Sequence, residues 1–203
     1  DIAADTGGGV VGHVLAVADR PQVDEVLARV ADQLGPVDIL VNNAAVNVQG
    51  QIWDYDPADW DRGIAVNLSA CWYLCRRTMP SMRERGGGAI VNISSVAPYI
   101  GGAGVEAPYA VSKGGLHSLT RAVAVEGGPH NIRANTVTMG VVSGTRFIDA
   151  HPETADRYVG ETPLGRNAVT ADIVNAVMFL CSDQSSFITG EILNVAGGWH
   201  MRA

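Results

Sequence analysis

Tyr109 and Lys113 stand four residues apart in the stretch Ala107–Gly115, read APYAVSKGG. On a helix that spacing stacks both side chains on one face. A fixed ammonium beside a phenol favours the phenolate and pulls the tyrosine pKa down from about 10. Such a phenol can give a proton to an alcohol or carbonyl oxygen, or take one from it. A surface contact would show the same spacing, so the surrounding chain has to decide between the two. Ser94 and Ser95 close the apolar run Ala89–Ile93, where they are either turn residues or hydroxyls aimed into a site. Ser95 lies fourteen residues before Tyr109, a span over which the chain can return and bring the two together. Asn42-Asn43-Ala44-Ala45 ends the run Val37–Val41, where an open α/β sheet binds its ligands. Small side chains there let something flat approach the backbone, and an ordinary polar turn would read the same. Asn67 interrupts a long helical pattern next to Leu68. Asparagine is a poor interior helix residue, and by residue type alone a solvent-facing position is the simpler reading.

The elements that would position these residues can be read in order. Residues 1–9, DIAADTGGG, read as a helix end running into a glycine stop. Val10–Ala18 reads as a short buried strand with His13 near its start. Pro21 suits a first helical position, Val23, Val26, Leu27, Val30 and Leu34 follow at helical spacing, and Gly35 closes the helix. Val37–Val41 is apolar apart from Asp38, as suits a strand buried on both faces of a parallel sheet. Asp56-Pro57 starts a helix toward Arg85 with the stripe Ile64, Leu68, Cys71, Leu74 and Cys75. Gly86-Gly87-Gly88 ends it. The helix carrying Tyr109 runs to about Glu126, with Leu116, Leu119, Val123 and Ala124 apolar. Ile132–Thr138 is a strand, Met139–Tyr158 a long loop-rich stretch of the kind that forms lids, and Thr170 caps a helix through Cys181. Glu191–Val195 is a last strand before Gly197-Gly198.

Alternating helices and strands indicate an α/β fold, and 203 residues with 24 glycines suffice for one domain, 1–203. A net charge of −7 argues against a nucleic-acid groove or an anionic membrane surface. No apolar run is long enough to span a bilayer and no signal peptide opens the chain. Cys71, Cys75 and Cys181 have no CxxC or histidine cluster beside them, so no metal site is expected. They read as buried free thiols of a reducing cytoplasm.

Together these pieces resemble the short-chain dehydrogenase/reductase family, over nearly the whole chain and in the family's order. The strand-end NNAA at 42–45 is similar to its NNAG, and Asn67 in VNL to its mid-helix asparagine. Ser95 in NISS is similar to its serine, and Tyr109-x-x-x-Lys113 to its signature pair. Arg133-Ala134-Asn135, Gly140 and the ending GEILNVAGG (190–198) fit the same pattern. The resemblance implies a Rossmann-type, doubly wound parallel sheet in three αβα layers. It implies hydride transfer between NAD or NADP and an alcohol or carbonyl substrate. Tyr109 would be the general acid–base, Lys113 would lower its pKa and bind the nicotinamide ribose, and Ser95 would polarise the carbonyl. Asn67 would hold a water linking Lys113 to solvent. Cofactor contacts would fall on Val17, Asn42, Asn43, Ala44, Tyr109, Lys113, Val142 and Thr145. A homotetramer or homodimer through the helices at 57–85 and 109–126 is implied as well. Residues 96–106 and 143–165, with Tyr99, Phe147, His151 and Tyr158, would shape the substrate pocket.

The sequence departs from the family at its start. The glycine-rich TGxxxGxG turn has no match, and Gly7-Gly8-Gly9 precedes no helix. The chain enters at the end of the family's second helix, so two strands and a helix are expected to be missing. In the family's sheet order 3-2-1-4-5-6-7, the Val10–Ala18 strand would then have no neighbour. The simplest expectation is that a longer chain folded. Three smaller departures follow: Ala16 stands where the family often has an adenine-binding aspartate; Met139 replaces the cofactor-loop proline and Thr145 falls about one residue late; and the segment between Ser95 and Tyr109 is slightly long, with Gly101–Val105 expected to make it flexible. The alternative to an enzyme is a catalytically silent scaffold or oligomer partner of the same fold.

Overall fold

A computed structural model describes residues 9–102, 106–145, 148–149 and 152–201. The glycine-ended helix read at 1–9 falls almost wholly outside them, as do Phe147 and His151. Four parallel strands form one sheet in the order β1 (Ile39–Asn42), β2 (Gly88–Ser95), β3 (Ile132–Met139) and β4 (Ile192–Val195). Asn42 aligns with Asn92, Asn92 with Thr136, and Thr136 with Ile192.

Local chemistry explains the helices. In α1 (Arg20–Leu34), the Asp19 carboxylate accepts from the Gln22 N–H at 3.2 Å, Pro21 sits in the first turn, and Gly35 stops the helix at φ 86°. That left-handed conformation is open to glycine without strain. In α2 (Pro57–Ile64), the Asp56 carboxylate caps the Ala58 N–H at 2.8 Å. The helix then widens into a π-helical turn, Ala65–Ser69, before continuing as α3 (Ala70–Glu84). After β2 come a short α4 (Ala97–Ile100) and the long α5 (Ala107–Gly127). The stretch expected to be loop-rich contains a helix, α6 (Pro152–Val159). In α7 (Thr170–Cys181) the preceding residue is Val169, so Thr170 is the first helical residue and not the cap. The Asp172 carboxylate instead accepts the Val169 N–H at 2.8 Å.

The core has two layers. Cys75, Met82, Ile90, Val123, Ala124, Ile132 and Ala134 fill the space between the sheet and α3 and α5. Val91, Ile93, Val137, Ile173 and Leu180 fill the space between the sheet and α7. Gly115 is where α5 meets the π-helical turn. A Cβ there would stand 2.6 Å from Leu68 Cδ2, so the Leu68 side chain would have to move to admit one.

Two expectations about strands fail. Residues 9–18 form no strand, and Val14 is 98% exposed. An apolar run becomes a strand only where a neighbour takes its N–H and C=O groups, and none of the described residues does so. β1 is not buried on both faces either. Ile39 and Val41 are 49% and 42% exposed, while Leu40 packs on the core and Asn42 is buried.

Candidate active site

Tyr109 and Lys113 lie one turn apart on α5, with Lys113 Nζ 5.6 Å from the Tyr109 ring centroid. Lys113 is 2% exposed and donates to the Ile93 carbonyl at 2.7 Å. An ammonium has three donors, so two remain. Ser95, at the end of β2, accepts from the Ala97 N–H at 3.1 Å and hydrogen-bonds the Tyr109 side chain. The structure thus brings Ser95, Tyr109 and Lys113 together. Ser94 is no competitor, being fully buried with its hydroxyl on the Lys113 carbonyl (3.1 Å) and His117 Nε2 (2.9 Å).

Electrostatics differ from expectation. Burial pushes the Tyr109 phenol up to about 12, Glu106 adds to the rise, and the Ser95 hydrogen bond opposes it. The lowering expected from Lys113 is not seen. Its ammonium sits over the ring, bonded to Ile93, and burial drops its own pKa to about 8 against the pull of Cys71. Lys113 therefore carries only part of its charge just above neutrality. Tyr109 holds its proton at pH 7.

Asn67 does not face solvent. It is fully buried in the π-helical turn. Its Oδ1 accepts from the Val46 N–H at 2.9 Å, and its Nδ2 donates to the Val46 carbonyl (2.9 Å) and to Ser112 Oγ (3.1 Å). Its own carbonyl accepts from the Cys71 thiol. Both amide donors are occupied by protein, while Oδ1 keeps a second lone pair that a water can donate to. What Asn67 does is tie the segment after β1 to α5, and residues 43–45 lie exposed just before that tie.

Of the remaining expected cofactor positions, Asn42 ends β1, and Val142 and Thr145 follow β3 at the same edge of the sheet. Asn42 is buried. Its Nδ2 donates to Asn92 Oδ1 at 2.8 Å, and its own Oδ1 has no hydrogen-bond partner. Asn92 Nδ2 goes on to Thr120 (2.8 Å), and Thr120 to Thr136 (2.6 Å). Val142 is buried in a parallel bridge to Ala168. That bridge uses the Val141 carbonyl and the Ser143 N–H, which turns the Val142 N–H away from it. The Val142 carbonyl accepts from the Thr145 hydroxyl at 3.0 Å. Val17 lies apart from these, half-buried in a groove with Arg20, Ala65, Ser69 and Tyr73. No group of histidine, cysteine and carboxylate side chains among the described residues could hold a metal ion. None of the helices among them is long and apolar enough to cross a membrane. Cys71, Cys75 and Cys181 are free thiols.

The family follows from the chain as a whole. Residues 1–200 match the family model described as enoyl-(acyl carrier protein) reductase. The chain belongs to the short-chain dehydrogenase/reductase family. As a member it is an NAD(P)-dependent oxidoreductase of the dehydrogenase/reductase type. It is 35% identical over 192 residues to the 3-oxoacyl-[acyl-carrier-protein] reductase of Thermotoga maritima, covering 94% of this chain and 77% of that one. It is also 35% identical over 192 residues to the 3alpha-hydroxysteroid dehydrogenase of Mediterraneibacter gnavus, covering 93% and 75%. A crystal structure of a gluconate 5-dehydrogenase from Burkholderia cenocepacia, in complex with NADP and tartrate, superposes with a TM-score of 0.89 at 30% identity. That match covers 97% of this chain and 77% of the other.

Sequence reading missed the partners that reach the site from a distance. Glu106 is buried at the start of α5 and acts on Tyr109. His117 is held neutral, with burial and Arg121 lowering it to about 4. Its place one turn after Lys113 was a usable signal, since 109, 113 and 117 share one helical face.

Proposed function

We propose that this chain interconverts a secondary alcohol and a ketone, with Tyr109 as the general acid–base. The observation that carries the reading is the pairing of the Ser95 and Tyr109 side chains beside a buried Lys113. The bound dinucleotide, NAD or NADP, supplies or accepts the hydride. In reduction, Tyr109 Oη gives its proton to the carbonyl oxygen, and Ser95 Oγ donates a hydrogen bond to the same oxygen. A phenol with its pKa near 12 is ready to act as an acid at neutral pH.

The residues present fit a dinucleotide. Lys113 has two unused donors for a ribose diol, and the exposed, small Ala44 beside Asn43 leaves room for a flat ring. The Val142 N–H, turned away from its bridge, suits the carboxamide, with Thr145 beside it. Asn42 has a buried acceptor to offer, and Val17 lines the groove expected to take the adenine end. The names of the relatives, a 3-oxoacyl reductase and a 3alpha-hydroxysteroid dehydrogenase, pair a keto with a hydroxyl group and support a small-molecule substrate of that kind.

On the same reading 1–203 acts as one domain, in the cytoplasm, where the buried Cys71 and Cys75 and the half-buried Cys181 stay reduced. Copies pair as a homodimer or homotetramer through α2, α3 and α5, whose exposed sides carry Trp72, Val111 and Val125.

Tyr109→Phe tests the proposal. Turnover, followed by the absorbance of the reduced nicotinamide, should fall by about 10²–10⁴ while the circular dichroism and melting curve stay put. Turnover unchanged by the substitution would sink the assignment of Tyr109. A wild type that binds dinucleotide and turns over no carbonyl would point to the scaffold.

A further inference from the structure

The turn after β4 touches two elements that flank the site. The Ala196 carbonyl accepts the Trp199 N–H at 2.9 Å, with Gly197 at φ 62° and Gly198 at φ 89° between them. On one side the turn holds the segment that follows α6. The Leu164 N–H donates to the Gly197 carbonyl at 3.1 Å. A Cβ on Gly197 would stand 2.7 Å from Thr162, and one on Gly198 would stand 2.8 Å from Pro163. The Trp199 indole N–H donates to Glu161 Oε2 at 3.2 Å, and its ring centroid is 4.6 Å from that of the buried Tyr158. On the other side, the next residue, His200, stacks on Tyr99 of α4 at 5.0 Å and 10°. Tyr99 in turn stacks on His117 at 5.2 Å and hydrogen-bonds its Nδ1 at 3.1 Å. His117 Nε2 meets Ser94, whose hydroxyl holds the Lys113 carbonyl.

Two consecutive side chains therefore clasp different walls. α4 leaves β2 directly after Ser95, and α6 with residues 160–165 follows the neighbouring strand β3. Both rise from the edge of the sheet that carries the reacting hydroxyls. We infer that Trp199 and His200 are positioning residues that set the distance between these walls and so select substrates by width. The inference rests on Ser95 and Tyr109 being the reacting groups.

The test uses the whole chain and three variants, Trp199→Phe, His200→Ala and Glu161→Gln. Hydrogen–deuterium exchange reads the clasp without turnover, at the 158–164 amides for the Trp199 side and at the 99–102 amides for the His200 side. Kinetics on a panel of linear and bicyclic ketones, ethyl acetoacetate and 1-decalone among them, reads the width. Trp199→Phe loses the indole donor and His200→Ala loses the stack. Each should speed exchange on its own side by about fivefold or more. Each should also change the KM ratio of bulky to small ketone by about tenfold, with kcat on the small ketone within about threefold. Glu161→Gln still offers an acceptor to the indole and should stay near the wild type. Wild-type exchange in both disruptive variants overturns the clasp. Faster exchange with an unchanged KM ratio overturns the selection of substrates. A wild type inert to the whole panel overturns the reading of the reacting groups and selection with it, while exchange still decides the clasp.

Discussion

Replacing Asn67 by alanine removes three hydrogen bonds at once. The Val46 N–H and C=O lose their partner, and so does Ser112 Oγ. Val46 is half-buried and can recover water, so each bond counts near its net value of about 1 kcal/mol. Asn67 is fully buried, and truncating it leaves a small void worth about 1 kcal/mol more. The expected loss is about 3–4 kcal/mol. For a chain of 203 residues each kcal/mol moves the melting point by roughly 2–4 °C, so Tm should drop by roughly 6–16 °C. Urea unfolding should show a lower midpoint at constant m. Asn67→Asp is the sharper variant. It keeps an acceptor for the Val46 N–H but turns a carboxylate oxygen toward the Val46 carbonyl and lacks the two donors, so it should cost at least as much. Because Val46 follows residues 42–45, dinucleotide affinity measured by fluorescence titration should weaken about tenfold in both. An Asn67→Ala protein within about 1 kcal/mol of the wild type would refute the strut and return Asn67 to a role outside it.

Other outcomes follow from the same geometry. Lys113 titrates near 8 when folded and at 10.5 by default, so the unfolded chain holds the extra proton between those values. Stability should therefore rise with pH over that window, by on the order of 3 kcal/mol. Lys113→Met should lose this rise, measured as the difference between two urea series. Glu106 raises the Tyr109 pKa, so Glu106→Gln should move the alkaline limb of the reduction profile to lower pH, and an unmoved limb would mean Tyr109 does not feel it. Gly115→Val should cost about 1–3 kcal/mol through collision with Leu68, and adding Leu68→Ala should return part of it.

Much of this was legible because it is written in local chemistry. Pro21, Asp56-Pro57 and the glycines at 35 and 86–88 mark helix ends wherever they occur. The spacings of Ser95, Tyr109 and Lys113 point to one site before any coordinates do. What could not be read depends on distant atoms. Asn67 looks like a solvated asparagine until the π-helical turn aims it at Val46 and Ser112. Val10–Ala18 and Val37–Val41 have the composition of buried strands, but burial and pairing belong to neighbours. The Tyr109 pKa is not legible because the i,i+4 spacing shows Lys113 and hides the carbonyl of Ile93 that takes its ammonium. The ring contact of Tyr99 with His200 joins residues about a hundred positions apart, and no periodicity announces it.

The chain of side chains from Asn42 through Asn92 and Thr120 to Thr136 has a consequence for how this sheet assembles. Parallel strands have evenly spaced bonds and no connecting hairpin, so many offsets between β1 and β2 look alike to the backbone. They do not look alike to the asparagines. A shift of one place would set Asn42 against Val91 or Ile93 and leave amides buried with nothing to hold, at a penalty of about 1–3 kcal/mol for each stranded group. The polar thread thus works as a key cut for one lock. It favours the single alignment that brings residues 43–45 level with Ser95.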